Sequence, residues 1–148
     1  TLVAWGGSAP SGPTAAATPV PTPAPVSYTG TFSGPMAGTG NGVAAASCTG
    51  RTVVSHTGTA ISFSDLTVTT CFSSAVSFGG ASTTLNGNSF TANGSYNSAG
   101  CGVIGAAWTG FFSGDGRLMN LRVVLTPPAS ATGDCAGVIQ FLGEITKQ

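Results

Sequence analysis

The run Leu118-Met119-Asn120-Leu121-Arg122-Val123-Val124-Leu125-Thr126 decides the fold class. Leu118, Asn120, Arg122 and Val124 fall on one face of an extended chain; Met119, Leu121, Val123 and Leu125 fall on the other. Side chains alternate across a strand with period two, so the second, wholly apolar set reads as the core face of a half-buried β-strand. Pro127-Pro128 ends it.

Outward from this strand the texture repeats. Strands are expected over 28–32, 51–56, 60–70, 75–78, 89–96, 103–112 and 138–145, separated by Gly, Asn, Ser and Thr turns. Leu85-Asn86-Gly87-Asn88 carries the Asn-Gly pair that suits the positive φ values of a tight hairpin turn. Asn93-Gly94 reads as a bulge or a further turn, and Ser113-Gly114-Asp115-Gly116 as a turn before residue 118. No segment carries an apolar stripe at helical spacing, and no apolar run approaches the length of a membrane helix. About eight short strands predict an all-β domain, a single antiparallel sandwich or small barrel, over residues 28–148.

Composition narrows the function. Charged residues make up 5% of the 148, against roughly 25% in ordinary globular proteins, and the net charge is zero. A nucleic-acid partner is not expected, because that affinity comes largely from Lys and Arg on phosphates. An anionic membrane surface is not expected either. Scarce charge also leaves self-association less opposed by repulsion. Cys48, Cys71, Cys101 and Cys135 form no CxxC pair, and the lone His56 does not complete a metal set, so no metal or cofactor is expected. An even cysteine count in an exported chain reads as two disulfides. Three pairings are open; the nearest-neighbour pairing, Cys48–Cys71 with Cys101–Cys135, is favoured. Each would stabilise by roughly 3–4 kcal/mol in the chain-entropy picture.

Catalytic supply is thin. The carboxylates are Asp65, Asp115, Asp134 and Glu144, and no Gly-x-Ser-x-Gly elbow surrounds a serine. Asp115 suits turn geometry, Asp65 an outward position or a pairing with Arg51, and His56 a strand end. A non-enzymatic protein is expected. Phe90, Tyr96, Trp108, Phe111, Phe112 and Phe141 are expected to fill the core, with a ligand-lined barrel mouth as the alternative.

Residues 1–27 differ from the rest. They are rich in Pro, Ala and Thr, uncharged and without amphipathic period, so they cannot build a core of their own. An extended arm of this kind finds its partners outside itself, and docking on a second copy is expected, with Leu2, Val3, Trp5, Val20 and Val26 as its anchors. In position it resembles the N-terminal extension of pilus subunits that assemble by donor-strand exchange. Leu2-Val3-Ala4 before Gly6-Gly7-Ser8 resembles the end of a bacterial lipoprotein signal with Trp5 in the cysteine's place. As written, that residue takes no thioether-linked lipid. Tyr28-Thr29-Gly30-Thr31-Phe32-Ser33-Gly34 resembles the opening strand of small secreted barrels of the lipocalin-like or avidin-like meander type. Thr18 and Thr22, each before a proline, and Asn93 in Asn93-Gly94-Ser95 are candidate glycan acceptors.

These readings converge on an extracellular or cell-surface structural subunit that joins copies of itself into a filament or layer through its arm. The alternative is a secreted barrel that binds an apolar or sugar ligand. The two separate on one observation: an enclosed cavity lined by the aromatics, or a filled core.

Overall fold

A computed structural model of the chain describes residues 21–43 and 45–148, together with Gly6, Gly7, Gly12, Ala16, Thr18 and Pro19. Ten strand segments follow in order: β1 (Gly30–Thr39), β2 (Ser47–Thr57), β3 (Ala60–Phe63), β4 (Leu66–Thr69), β5 (Val76–Phe78), β6 (Ala81–Thr84), β7 (Ser89–Ser98), β8 (Gly102–Phe112), β9 (Leu118–Thr126) and β10 (Ile139–Lys147). Among the described residues no helix is long and apolar enough to cross a membrane.

The ladder runs β1-β10-β9-β8-β7-β6-β3-β2, and β1 pairs again with β2, closing an antiparallel eight-strand barrel; β4 and β5 extend from β2. Closure removes most of the free edges that an open sheet would expose. The expected single strand over 60–70 is two segments. Stepping from Val54 to Arg51 on β2 crosses three residues, while the partners Phe63 and Thr67 are four apart. The extra residue is a bulge at Ser64-Asp65. Ser64 Oγ accepts the Val53 N–H (2.8 Å), and Thr52 Oγ1 donates to Ser64 O (3.0 Å), which satisfies a hydroxyl in a residue only 1% exposed. Asp65 Oδ1 accepts the Gly80 N–H at 3.2 Å. The β6 segment was not expected from the sequence, because Ala81-Ser82-Thr83-Thr84 carries no large apolar residue.

The strand that decides the fold class behaves as read: Met119, Leu121, Val123 and Leu125 are at most 1% exposed and point into the barrel. The hairpin at 85–88 is also present, with Asn86 and Ser89 bridged. Asn93-Gly94 is neither bulge nor turn. It lies inside β7 in unbroken register with β8. The glycine is there for close approach, since a Cβ on Gly94 would collide with Gly80 O.

Side chains fill the interior. Phe32, Trp108, Phe112 and Phe141 are fully buried, and Phe90 is 4% exposed. Phe63 stacks near Trp108 (5.2 Å between centroids) and tilts on Phe90 (4.6 Å). Trp108 Nε1 is buried with no hydrogen-bond partner, the one such side-chain atom among the described residues. Phe111 departs from the core expectation. It is 48% exposed, as is Leu142, on the outer face of β8–β10. Its parity on β8 is opposite to that of Trp108 and Phe112, so alternation sends it outward.

Candidate functional site

The two barrel ends are built differently. One end gathers the arm root, the tight turns at 58–59, 85–88 and 113–117, and the chain's last residues. The Tyr28 ring closes this end. It is 9% exposed and stacks on Phe112 at 4.3 Å, with the His56 ring at 4.9 Å. His56 Nδ1 accepts the Tyr28 N–H (3.3 Å), and its Nε2 lies 2.8 Å from Gly58 O. With Nδ1 accepting from the Tyr28 N–H, Nε2 is left to donate to Gly58 O. Thr29 Oγ1 accepts the His56 N–H (3.0 Å) and donates to His56 O (3.3 Å), so one hydroxyl repeats a strand pairing. Lys147 Nζ donates to Ser27 O at 3.2 Å. Gly116, at φ +72°, leaves room for the root: a Cβ there would stand 2.9 Å from Val26 Cγ1. In the same turn Asp115 accepts from the Ser113 hydroxyl (2.6 Å) and the Arg117 N–H (3.1 Å). Those two bonds, the hydroxyl's first, hold its carboxyl below the ordinary carboxylate range.

The opposite end carries the longer loops and both disulfides. The bonds are Cys48–Cys71 and Cys101–Cys135, the nearest-neighbour pairing, with Cα separations of 5.0 and 5.4 Å. Asn41 Nδ2 donates to Ala136 O (2.9 Å), tying the loop after β1 to the loop before β10. Beneath that strap is a recess of about 100 Å³. Ile104, Leu125 and Ile139 supply its apolar wall, and Tyr96, Ser98 and Asp134 its polar one. Burial pushes the Tyr96 hydroxyl's pKa up. Ligand sites for drug-sized molecules run from about 300 Å³ upward, so this recess takes at most a few heavy atoms.

The expected site residues fall as follows. Leu2, Val3, Trp5 and Val20 lie outside the described residues. Val26 is 39% exposed and sits over Gly116 at its own barrel's end. Thr18, Thr22 and Asn93 are exposed, as glycan acceptors must be. His56 is at a strand end, as expected, but its bonds to the arm root were not read from the sequence. The signal available was its spacing of 28 residues from Tyr28 across an antiparallel pair, which needs the β1–β2 register to interpret. Among the described residues no three His, Cys, Asp or Glu side chains are grouped to hold a metal ion. Comparison with protein-family models, curated proteins and solved structures finds no match to this chain.

Proposed function

We propose that this chain is an exported, non-enzymatic structural subunit: a rigid barrel that joins copies of itself at the cell surface through its N-terminal arm. The observation that carries the reading is the filled interior. The aromatics that would have lined a ligand cavity, Trp108, Phe112, Phe141 and Phe90, are packed against one another or against neighbouring aliphatic side chains. Among the described residues the interior is taken up by the chain's own side chains, which favours a role in which the barrel serves by its shape and by what is attached to it.

Three further features support the reading. Two disulfides brace the domain, as suits an oxidising compartment. Scarce charge leaves association unopposed. The arm root is clamped to the barrel by Tyr28, Thr29 and Lys147, while Pro21–Pro25 before it are exposed and in no strand. A pull on the arm is therefore delivered to the barrel end rather than to a loose linker.

The test is deletion of residues 1–25, which spares Val26, Ser27 and Tyr28. The shortened chain is expected to keep its circular dichroism and melting temperature and to elute as a monomer, while the full chain assembles in a concentration-dependent way by light scattering. Assembly that survives the deletion overturns the proposal. A fall in melting temperature with no change in stoichiometry would show that the arm docks on its own barrel instead.

A further inference from the structure

The arm just before its root reads Thr18-Pro19-Val20-Pro21-Thr22-Pro23-Ala24-Pro25-Val26, with proline at every second position. Each residue before a proline is disfavoured in the helical region, so the sequence favours strand-like or polyproline II backbone over a helix. When such a chain pairs as a β-strand, the main-chain N–H and C=O groups of residues two apart point to the same side. In that pairing the N–H groups of residues 18, 20, 22, 24 and 26 would share one edge. The other edge is all proline and has no N–H. Such a strand can form a full ladder on one side only. It can add to a sheet edge, and it then ends the sheet, because nothing can ladder onto its proline side.

Among the described strands the wall leaves two unpaired edges that face each other, β5 and the end of β7. Every described strand has ladder partners on two sides except β5, which is paired to β4 alone. Across from it, Tyr96, Asn97 and Ser98 of β7 pair only with β8, after β7 meets β6 at Ala81–Gly94. The Phe78 and Tyr96 rings lie 5.3 Å apart at the base of this gap, and Ser77 stands exposed at its rim.

We propose that residues 18–26 are a one-sided donor strand, and that the acceptor is the free edge of β5 in a second copy of this chain. The inference rests on the proposed arm-mediated assembly and names its partner surface. For the β5 edge, strand direction selects a second copy over the same one. β5 is antiparallel to β4 and β4 to β2, so β5 runs from the disulfide end toward the arm end. The arm's C-terminal root is fixed at the arm end. Laid along its own barrel it would run toward that end too, and would meet β5 only in parallel. Every pairing in this barrel is antiparallel, the mode that is more stable per residue. An antiparallel donor on β5 must therefore come from another molecule, whereas an arm laid along its own barrel would be antiparallel only to the facing end of β7.

The test uses two full chains, one carrying Ala24→Cys and the other Ser77→Cys, mixed and treated with a short bismaleimide. A crosslinked heterodimer is expected. It should be lost, to under a tenth of its yield, when Thr18→Pro and Thr22→Pro are added to the first chain, which removes ladder donors while keeping the arm long and extended. Thr18→Val with Thr22→Val, which keeps the donors, should leave the yield unchanged. Crosslinking that survives the proline pair overturns the ladder. Crosslinking only within a single chain that carries both cysteines overturns the second copy as occupant. Absence of any crosslink, in a chain whose assembly is still abolished by deleting residues 1–25, overturns β5 as acceptor while leaving arm-mediated assembly standing. Assembly that ignores the deletion overturns both.

Discussion

The two ends of this barrel solve the same problem by different means. At the arm end, short turns hold the strands together and an aromatic plug, Tyr28 on Phe112, closes the interior. At the other end the strands are joined by long segments, 40–46, 70–75 and 127–138, and the closure is covalent. A short turn leaves little chain to order, so packing suffices. A long loop has more freedom to lose, and a cross-link that removes this freedom from the unfolded chain stabilises most where the loop is long. Each disulfide thus ties one long segment down: Cys71 of 70–75 to Cys48 in β2, and Cys135 of 127–138 to Cys101 in the short turn before β8. The short, singly paired β5 sits beside the same loops, so the disulfides brace the half of the barrel whose ladder is weakest.

The largest expected effect breaks this contrast directly. Reducing both disulfides, or replacing all four cysteines with serine, is expected to lower stability by about 3–4 kcal/mol per bond in the chain-entropy picture. Chemical denaturation with hydrogen exchange checks it. Exchange should rise first in β4, β5 and the 127–138 loop, while β8 and β9 near Phe112 stay protected. Uniform loss of protection would mean that the two ends do not differ in how they are held.

Next comes the plug. Tyr28→Ala removes a ring that is 9% exposed, and it is expected to cost about 2–4 kcal/mol, near the low end for large-to-small aromatic changes because the ring lies at the mouth. Tyr28→Phe keeps the stack on Phe112 and should stay within about 0.5 kcal/mol of the parent chain. Melting curves for the pair separate ring packing from the hydroxyl. An equal loss in both would show that the hydroxyl, not the stack, closes the arm end.

How much of this contrast was legible in the sequence depends on range. The alternation at 118–126 gave the inward face of β9 without error, because period two is a local property of an extended chain. The disulfide pairing followed from sequence proximity. Phe111 shows where alternation was available but not applied: as an aromatic it was expected inside, while its parity on β8 places it outside. The bulge at Ser64-Asp65 and the role of Gly94 were hidden, since both answer to strands that meet them only after the barrel closes. The clamp on the arm root was hidden for the same reason. His56, Lys147 and Gly116 converge on residues 26–28 from positions up to 120 apart.

A smaller effect sharpens the disulfide end. Thr70 holds φ at 68°, a region costly for a β-branched residue, immediately before Cys71. Its single hydroxyl proton is shared between Thr69 O (2.6 Å) and Ser47 O (3.3 Å), which offsets part of that cost. Thr70→Asn places a residue that tolerates this conformation at the same site. It is expected to raise stability by about 0.5–1 kcal/mol, visible as a small rise in melting temperature. A fall would mean that the hydroxyl's shared hydrogen bond outweighs the backbone strain.

The smallest effects divide the ends by pH. Asp115, at the arm end, has its carboxyl held below the ordinary range by the Ser113 hydroxyl and then the Arg117 N–H. Its contribution is present above the usual carboxylate range and is lost as pH falls through the lowered folded value. Tyr96, at the disulfide end, has its hydroxyl pushed up by burial. Its contribution is present below the usual tyrosine range, near 10, and is lost as pH rises through the raised folded value. Asp115→Asn should therefore flatten the acid limb of the stability curve and leave the alkaline limb alone, while Tyr96→Phe should do the reverse. Asp115 is exposed and Tyr96 only partly buried, so each change is slight, and the comparison lies in which limb moves. If either substitution moves both limbs together, the two ends are coupled through the packed interior rather than held separately.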